Sequence, residues 1–273
     1  METVLDSIIQ GVRIDLAERQ LHTSLNQLQE RITQISPALP AANILAERPF
    51  SVISEVKRAS PSKGELATIT DPALLASQYV AGGAQIISVL TEQRRFNGSL
   101  RDLDAVRANV AVPVLRKDFM VEEFQFWEAR AHGADVILLI VAGLDDAQLR
   151  GFNDLAQHLG MSVLVEIHDE AELERALEIS PKLVGVNARN LKTLAVDLAT
   201  CERILPLIPK DVVAVAESGI SDVSDVERMV AAGARAVLVG EALVTGGEPE
   251  QTVREWTEAG TQARNLFLKD GSS

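Results

Sequence analysis

A single cysteine, Cys201, stands among 273 residues. One thiol can neither close an intramolecular disulfide nor build a Cys-rich metal site. Histidine is scarce too: the four present are scattered without metal-ligand spacing, so no metal is expected. Aromatics supply only 4% of the chain while hydrophobic residues reach 47%. Val, Ile, Leu and Ala must therefore fill the core, as they do where parallel sheets are buried on both faces. Positive charge is in deficit, with 26 Lys and Arg against 39 Asp and Glu, a formal charge of −13. That balance repels nucleic acid and anionic membrane surfaces and favours solubility. An anionic ligand would need a local positive site set against the global field. No apolar run approaches the roughly 18 residues of a membrane span. Near the N-terminus Asp6, Arg13, Asp15, Glu18 and Arg19 interrupt any leader-like stretch. A cytoplasmic location is expected. The sequence leaves the oligomeric state open, a monomer being one reading.

Residues 3–35 read as helix, with one apolar stripe of Val4, Leu5, Ile8, Ile9, Val12 and Leu16 and another of Leu21, Leu25, Leu28, Ile32 and Ile35. Pro37 and Pro40 close this region. From residue 50 onward, short apolar runs alternate with helical patterns: Ser51–Lys57, Gln85–Leu90, Val112–Lys117, Asp135–Val141, Ser162–Ile167, Leu183–Asn187, Val212–Ala216 and Ala236–Val239. These eight runs lie roughly 20 to 35 residues apart, which is a βα period. An echo supports a repeating unit: Ala81-Gly82-Gly83-Ala84, Ala131-His132-Gly133-Ala134 and Ala232-Gly233-Ala234 each join a helical pattern to an apolar run. The pattern predicts an α/β fold, a closed (β/α)8 barrel over 1–273 with 1–47 as an N-terminal helical extension. An open doubly wound sheet is the alternative, but no G-x-G-x-x-G follows the first run.

Barrel active sites lie at the C-terminal rim, and that is where the unusual polar residues fall. The most telling stretch is Glu55-Val56-Lys57-Arg58-Ala59-Ser60-Pro61-Ser62-Lys63-Gly64. A strand's period of two puts Glu55 and Lys57 on one face, and burying such a pair is costly unless other groups compensate. The third run ends in Leu115-Arg116-Lys117-Asp118-Phe119, the fifth in Glu166-Ile167-His168, the sixth in Asn187-Ala188-Arg189, and the seventh is followed by Glu217-Ser218-Gly219. Parity lets either Lys117 or the flanking pair Arg116 and Asp118 face inward; Lys117 is chosen as the inward amine because Leu115 and Phe119 share its face and would make a dry wall beside it. Arg116 and Asp118 then form an outward ion pair at the helix layer. His168 shares parity with Glu166, and capping of the next helix is its preferred role. Ser218-Gly219 and Gly240-Glu241 follow the last two runs, where barrels often bind phosphate through loop N–H groups. Gly219 and Gly240 would let the backbone approach an oxyanion.

These segments, together with Phe96-Asn97-Gly98-Ser99-Leu100, resemble the indole-3-glycerol phosphate synthase family in order and across nearly the whole barrel. One departure is Ala188, where many members carry a second Asn; its parity points away from Asn187. The resemblance implies ring closure of 1-(2-carboxyphenylamino)-1-deoxyribulose 5-phosphate with loss of carbon dioxide and water, and an extension packed over the barrel mouth. It implies no cofactor. Lys117 would protonate the ketone oxygen. Glu166, Glu55 and Lys57 would serve the dehydration, and Lys57 could also touch phosphate with Gly219, Gly240 and Glu241. Asn187, Glu217 and Ser218 would orient the substrate, Arg189 and Ser60 would hold its carboxylate, and Phe96, Phe119 and Leu191 would line the slot for its benzene ring. A sugar-phosphate isomerase, a Schiff-base lyase acting through Lys117, and an inactive scaffold subunit are the rival readings.

Overall fold

Thr3 opens the first helix, α1 (Val4–His22), through a capping box with Asp6. In the computed structural model, which describes residues 3–270, the helix expected over 3–35 is two helices. The chain turns at Thr23, and Ser24 starts α2 (Leu25–Ile32) with a second capping box to Gln27. Those contacts satisfy N–H groups that a new helix end leaves orphaned, so the break is favoured over continuation. The second apolar stripe is corrected with it. Leu28 is buried, but Leu21 is 82% exposed and Leu25 is 41% exposed. Pro40 also does more than close the region, because it leads into a short third helix, α3 (Ala41–Ala46).

Eight parallel strands then alternate with helices. They are β1 (Ser51–Val56), β2 (Ile86–Leu90), β3 (Val114–Lys117), β4 (Val136–Ile140), β5 (Ser162–Ile167), β6 (Leu183–Asn187), β7 (Val213–Glu217) and β8 (Ala236–Val239). The intervening helices are α4 (Pro72–Ala81), α5 (Leu100–Asn109), α6 (Glu123–Ala131), α7 (Asp146–His158), α8 (Glu170–Leu177), α9 (Ala199–Ile204) and α10 (Val223–Ala231), with α11 (Glu241–Thr245) and α12 (Pro249–Asp270) after β8. Each strand pairs with its neighbours in sequence, and Ile53 of β1 lies between Ile86 of β2 and Leu238 of β8, which closes the ring. The (β/α)8 expectation holds and the open sheet is excluded. Strand bounds shift slightly: β3 starts at Val114, since Pro113 has no N–H to give the ladder, and β7 runs on to Glu217. At the αβ turns Gly83, Gly133 and Gly233 take φ of 102°, 82° and 114°, a region where a side chain would be strained.

Alternation along the strands sorts the side chains into two layers. Val52, Val56, Ile87, Val89, Ile137, Leu139, Val184 and Val186 point out against the helices. Ile53, Ile86, Leu115, Leu138, Leu164, Val215 and Leu238 fill the barrel interior. The extension reaches both ends of that interior. Ala41 and Leu45 of α3 are fully buried at the N-terminal end of the barrel, where Ala42 N–H donates to Ser162 at the start of β5. Leu5, Ile8, Val12 and Leu16 of α1 are buried, each worth about 1.5–3 kcal/mol, and Val4, Leu5 and Ile8 lie over the mouth. Of the three extension helices, only α1 therefore covers the mouth. The ends of the expected 1–273 span, residues 1–2 and 271–273, lie outside the described residues.

Candidate active site

A cavity opens at the C-terminal ends of the strands beneath α1. Its wall carries Glu55, Lys57, Ser60, Phe96, Lys117, Phe119, Glu166, Asn187, Arg189, Leu191, Glu217, Ser218, Gly219, Gly240 and Glu241. Every residue singled out from the sequence for this site is thus brought to one space. Period-two geometry explains the convergence: Glu55, Lys117, Glu166, Asn187 and Glu217 end the inward-facing rows of β1, β3, β5, β6 and β7.

Lys117 is the centre of a buried charge cluster. Its Nζ donates to Glu166 Oε2 at 3.0 Å and lies 3.7 Å from Glu217 Oε2. Burial alone pushes the ammonium down, but Glu166, Glu217 and Glu55 outweigh it and hold Lys117 above the ordinary lysine range. Burial likewise raises Glu166, yet Lys117, His168 and Asn187 together keep it well below the usual carboxylate range. Asn187 Nδ2 donates to Glu166 Oε1 at 3.0 Å, and Asn187 Oδ1 accepts the Arg189 N–H at 3.0 Å. Glu217 behaves oppositely. Burial first, then the charge of Glu166, push it up to about 8 despite the opposing pull of Lys117. Its Oε1 has no hydrogen-bond partner, as suits a carboxyl waiting for a ligand. Gly185 makes room for it, since a Cβ there would lie 1.9 Å from that oxygen.

On the opposite wall Lys57 Nζ pairs with Glu55 Oε1 at 2.9 Å, and Ser88 donates to Glu55 Oε2 at 3.3 Å. Lys57 follows the last residue of β1, after which Ala59–Ser60 pairs with Gly64–Glu65 in a two-residue ribbon around the Ser-Pro-Ser-Lys turn. Arg189 Nη1 donates to Ser62 at 3.0 Å and ties this ribbon to the β6 loop. Phe96 and Phe119 stand with ring centroids 6.2 Å apart and share an apolar cluster with Leu191 and Leu5 of α1.

The glycine loops serve purposes the sequence did not show. A Cβ on Gly219 would meet Val196 at 2.5 Å, so this glycine, with φ 81°, first allows the loop to pack. A Cβ on Gly240 would meet Glu55 Oε1 at 2.9 Å, so Gly240 leaves space for that carboxylate. The Glu241 side chain is engaged by Lys63 across the mouth, which leaves its backbone N–H at the start of α11 as the group suited to an anion.

Arg116 and Asp118 form the expected outward ion pair, at 2.9 Å, but it is buried rather than solvated. Arg116 is fully buried and also pairs with Glu128 at 3.0 Å, and Glu128 in turn takes a bidentate contact from Arg19 of α1. Sequence reading missed this chain, and it also missed Glu92. Buried Glu92 accepts the N–H groups of Arg94, Arg95 and Phe96 and so fixes the loop that carries Phe96. The acidic residue two to four positions before those N–H groups was the available signal. His168 does not cap α8, whose N-cap is Asp169; its ring is placed against Glu166 and Glu172.

Lys57, Lys117 and Arg189 face Glu55, Glu166 and Glu217, the last pushed toward its neutral form by burial, while Asp118 and Glu241 each have a cation of their own. Three cations are thus gathered at one rim in a chain of formal charge −13. A solved structure of 3-hexulose-6-phosphate synthase from Salmonella typhimurium superposes with a TM-score of 0.64 over 78% of this chain and all of its own, at 15% identity, and so shares the fold alone. An indole-3-glycerol phosphate synthase of a Nocardioides species is 59% identical over 255 residues, 93% of this chain and 98% of the relative. Indole-3-glycerol phosphate synthase 1 of Streptomyces coelicolor is 56% identical over 258 residues, 94% of this chain and 96% of its own. The family model for indole-3-glycerol phosphate synthase matches residues 5–256, from the helix over the mouth to the helix that follows the last strand, and the chain belongs to that family.

Proposed function

We propose that this chain closes the indole ring, converting 1-(2-carboxyphenylamino)-1-deoxyribulose 5-phosphate to indole-3-glycerol phosphate with loss of carbon dioxide and water. It works as one barrel domain over 1–273, with residues 1–47 as its extension. The observation that carries the reading is Lys117 Nζ, placed 3.0 Å from Glu166 and 3.7 Å from Glu217 in a cavity that Phe96, Phe119 and Leu191 also line.

The aryl carbon bearing the carboxylate attacks the ketone carbon, and the ketone oxygen takes a proton from Lys117 as the C–C bond forms. Loss of the carboxylate as carbon dioxide returns its bonding pair to the ring and restores aromaticity. The new hydroxyl then leaves as water. That step needs one proton given to the departing oxygen and one removed from the substrate. Glu166, kept ionised, is the base. Lys57, paired with Glu55, and the neutral Glu217 are the proton carriers on the other side of the cavity. Asn187 fixes Glu166, and Ser218 orients the substrate at the rim.

Arg189 and Ser60 receive the substrate carboxylate before it departs. Phe96, Phe119 and Leu191 take the benzene ring as an apolar slot. The phosphate meets Lys57 and the backbone N–H groups of Gly219, Gly240 and Glu241. The cation count at the mouth is what lets a dianion enter against the global charge. No step draws on a cofactor. The chemistry uses a soluble, small, phosphorylated substrate, and a cytoplasmic location fits it; among the described residues no helix is long and apolar enough to cross a membrane. The test is incubation of the protein with that sugar phosphate while indole fluorescence and carbon dioxide are followed. Appearance of both supports the reading, and consumption without either opposes it.

A further inference from the structure

We propose that His168 is a positioning residue for Glu166, a standing cation outside the cavity that keeps this carboxylate ionised and aligned when Lys117 gives up its proton. The inference rests on the reading of Glu166 as the base.

Glu166 is approached by three groups from three directions. Lys117 of β3 is 3.0 Å away, Asn187 of β6 is 3.0 Å away, and His168, two residues on from Glu166 itself, brings Nε2 to 3.5 Å from Oε1. Only Lys117 and Asn187 line the cavity; His168 does not. Ring closure transfers the Lys117 proton to substrate oxygen, and at that moment the buried Glu166 loses its nearest counter-charge. Glu217, the other acid facing Lys117, cannot replace it, because it adds negative charge or none.

His168 is built to remain. Glu172 of α8 accepts the His168 backbone N–H at 2.8 Å and holds Nδ1 at 3.0 Å. The imidazole is therefore clamped from behind, and Nε2 is aimed at Glu166 with no hydrogen-bond partner of its own. At 3.5 Å the contact is an ion pair just longer than a hydrogen bond, so a small rotation closes it when Lys117 becomes neutral. Burial pushes the imidazole down, but the two carboxylates prevail and lift it to about 10. The ring is then a cation at neutral pH. The charged groups around it are Glu166 on β5 and Glu172 on α8, with Lys117 beyond Glu166.

The experiment measures kcat and KM for H168Q, E172Q and E166Q, with thermal unfolding as a folding control. In parallel, imidazole nitrogen signals of wild type and E172Q are followed by NMR from about pH 6 to about pH 10, with H168Q assigning the His168 signals. H168Q should lose about tenfold in kcat with KM nearly unchanged, since it touches no substrate. His168 should stay protonated at neutral pH in wild type, and E172Q should lower its titration by about one pH unit or more. Wild-type kcat in folded H168Q, an effect confined to KM, or a His168 titration near its ordinary value would each overturn the proposal. E166Q separates the two readings: if it retains full turnover, the base assignment falls and His168 with it, whereas an inactive E166Q beside an unaffected H168Q overturns His168 alone. Should H168Q fail to fold, the His168 signals are assigned through the backbone resonances of Ile167 and Asp169, and the wild-type and E172Q titrations with the kcat of E172Q decide the matter.

Discussion

Arg116→Met should cost the folded protein about 3 kcal/mol. The guanidinium is fully buried and holds two carboxylates, Asp118 at 2.9 Å and Glu128 at 3.0 Å, besides donating to Thr91 and to the Gln125 carbonyl. Removing the central cation leaves both acids buried, and breaking one side of such a pair typically costs about 3–5 kcal/mol. The lower end applies because each acid keeps another donor. Asp118 retains Thr91 at 2.6 Å and the Phe119 N–H at 2.8 Å, and Glu128 retains Arg19 at 2.8 and 3.1 Å. For a domain of this size the loss corresponds to a melting temperature lower by roughly 5–10 °C, read by circular dichroism. The deficit should depend on pH in one direction. Burial raises Glu128, but Arg116 and Arg19 hold it below the ordinary range. Its contribution is thus present above its unfolded value and lost as pH falls through the folded one. The substitution removes the larger cationic pull, so the gap between variant and wild type should narrow below about pH 4. A melting temperature within about 2 °C of wild type at neutral pH would refute the reasoning and show the network to be energetically neutral.

Two further outcomes follow from Glu217. Its folded value is raised to about 8, mainly by burial, so the native state keeps a proton that the unfolded chain releases, and stability is lost as pH rises from the ordinary carboxylate range toward 8. E217Q has no such proton to lose, and its melting temperature relative to wild type should rise between acid and alkaline buffers; a constant offset would contradict the shift. Gly185→Ala would place a Cβ 1.9 Å from Glu217 Oε1 and 3.4 Å from Leu164. Overpacking should cost about 1–3 kcal/mol in chemical denaturation, and displacement of Glu217 from Lys117 should lower kcat by about tenfold; unchanged kcat would free Glu217 of any role.

Most of the barrel was legible because parity and period are local properties. Strand alternation put Glu55 and Lys57 on one face, and the apolar Leu115 and Phe119 on its own face marked Lys117 as the inward amine. Glycines before β2, β4 and β8 announced left-handed αβ turns, and the structure bears them out. What stayed hidden depends on distant partners. Arg116 read as an outward ion pair, yet nothing local says that Glu128 and Arg19 bury it. Gly219 and Gly240 read as phosphate glycines, and only the fold shows Val196 and Glu55 filling the space a side chain would need. His168 could have served as a cap on local grounds; Asp169 took that place and turned the ring toward Glu166. The helix break at Ser24 was readable, since Ser-Leu-Asn-Gln carries a capping box, but the apolar stripe running through it masked the signal.

The central claim is that the Lys117 ammonium drives ring closure. Turnover of 1-(2-carboxyphenylamino)-1-deoxyribulose 5-phosphate by Lys117→Ala, followed through indole fluorescence beside a melting curve of the same sample, tests it most directly. The account predicts a folded protein whose kcat is lower by about a hundredfold or more, the scale of a lost general acid. A folded variant that turns over at the wild-type rate would contradict it.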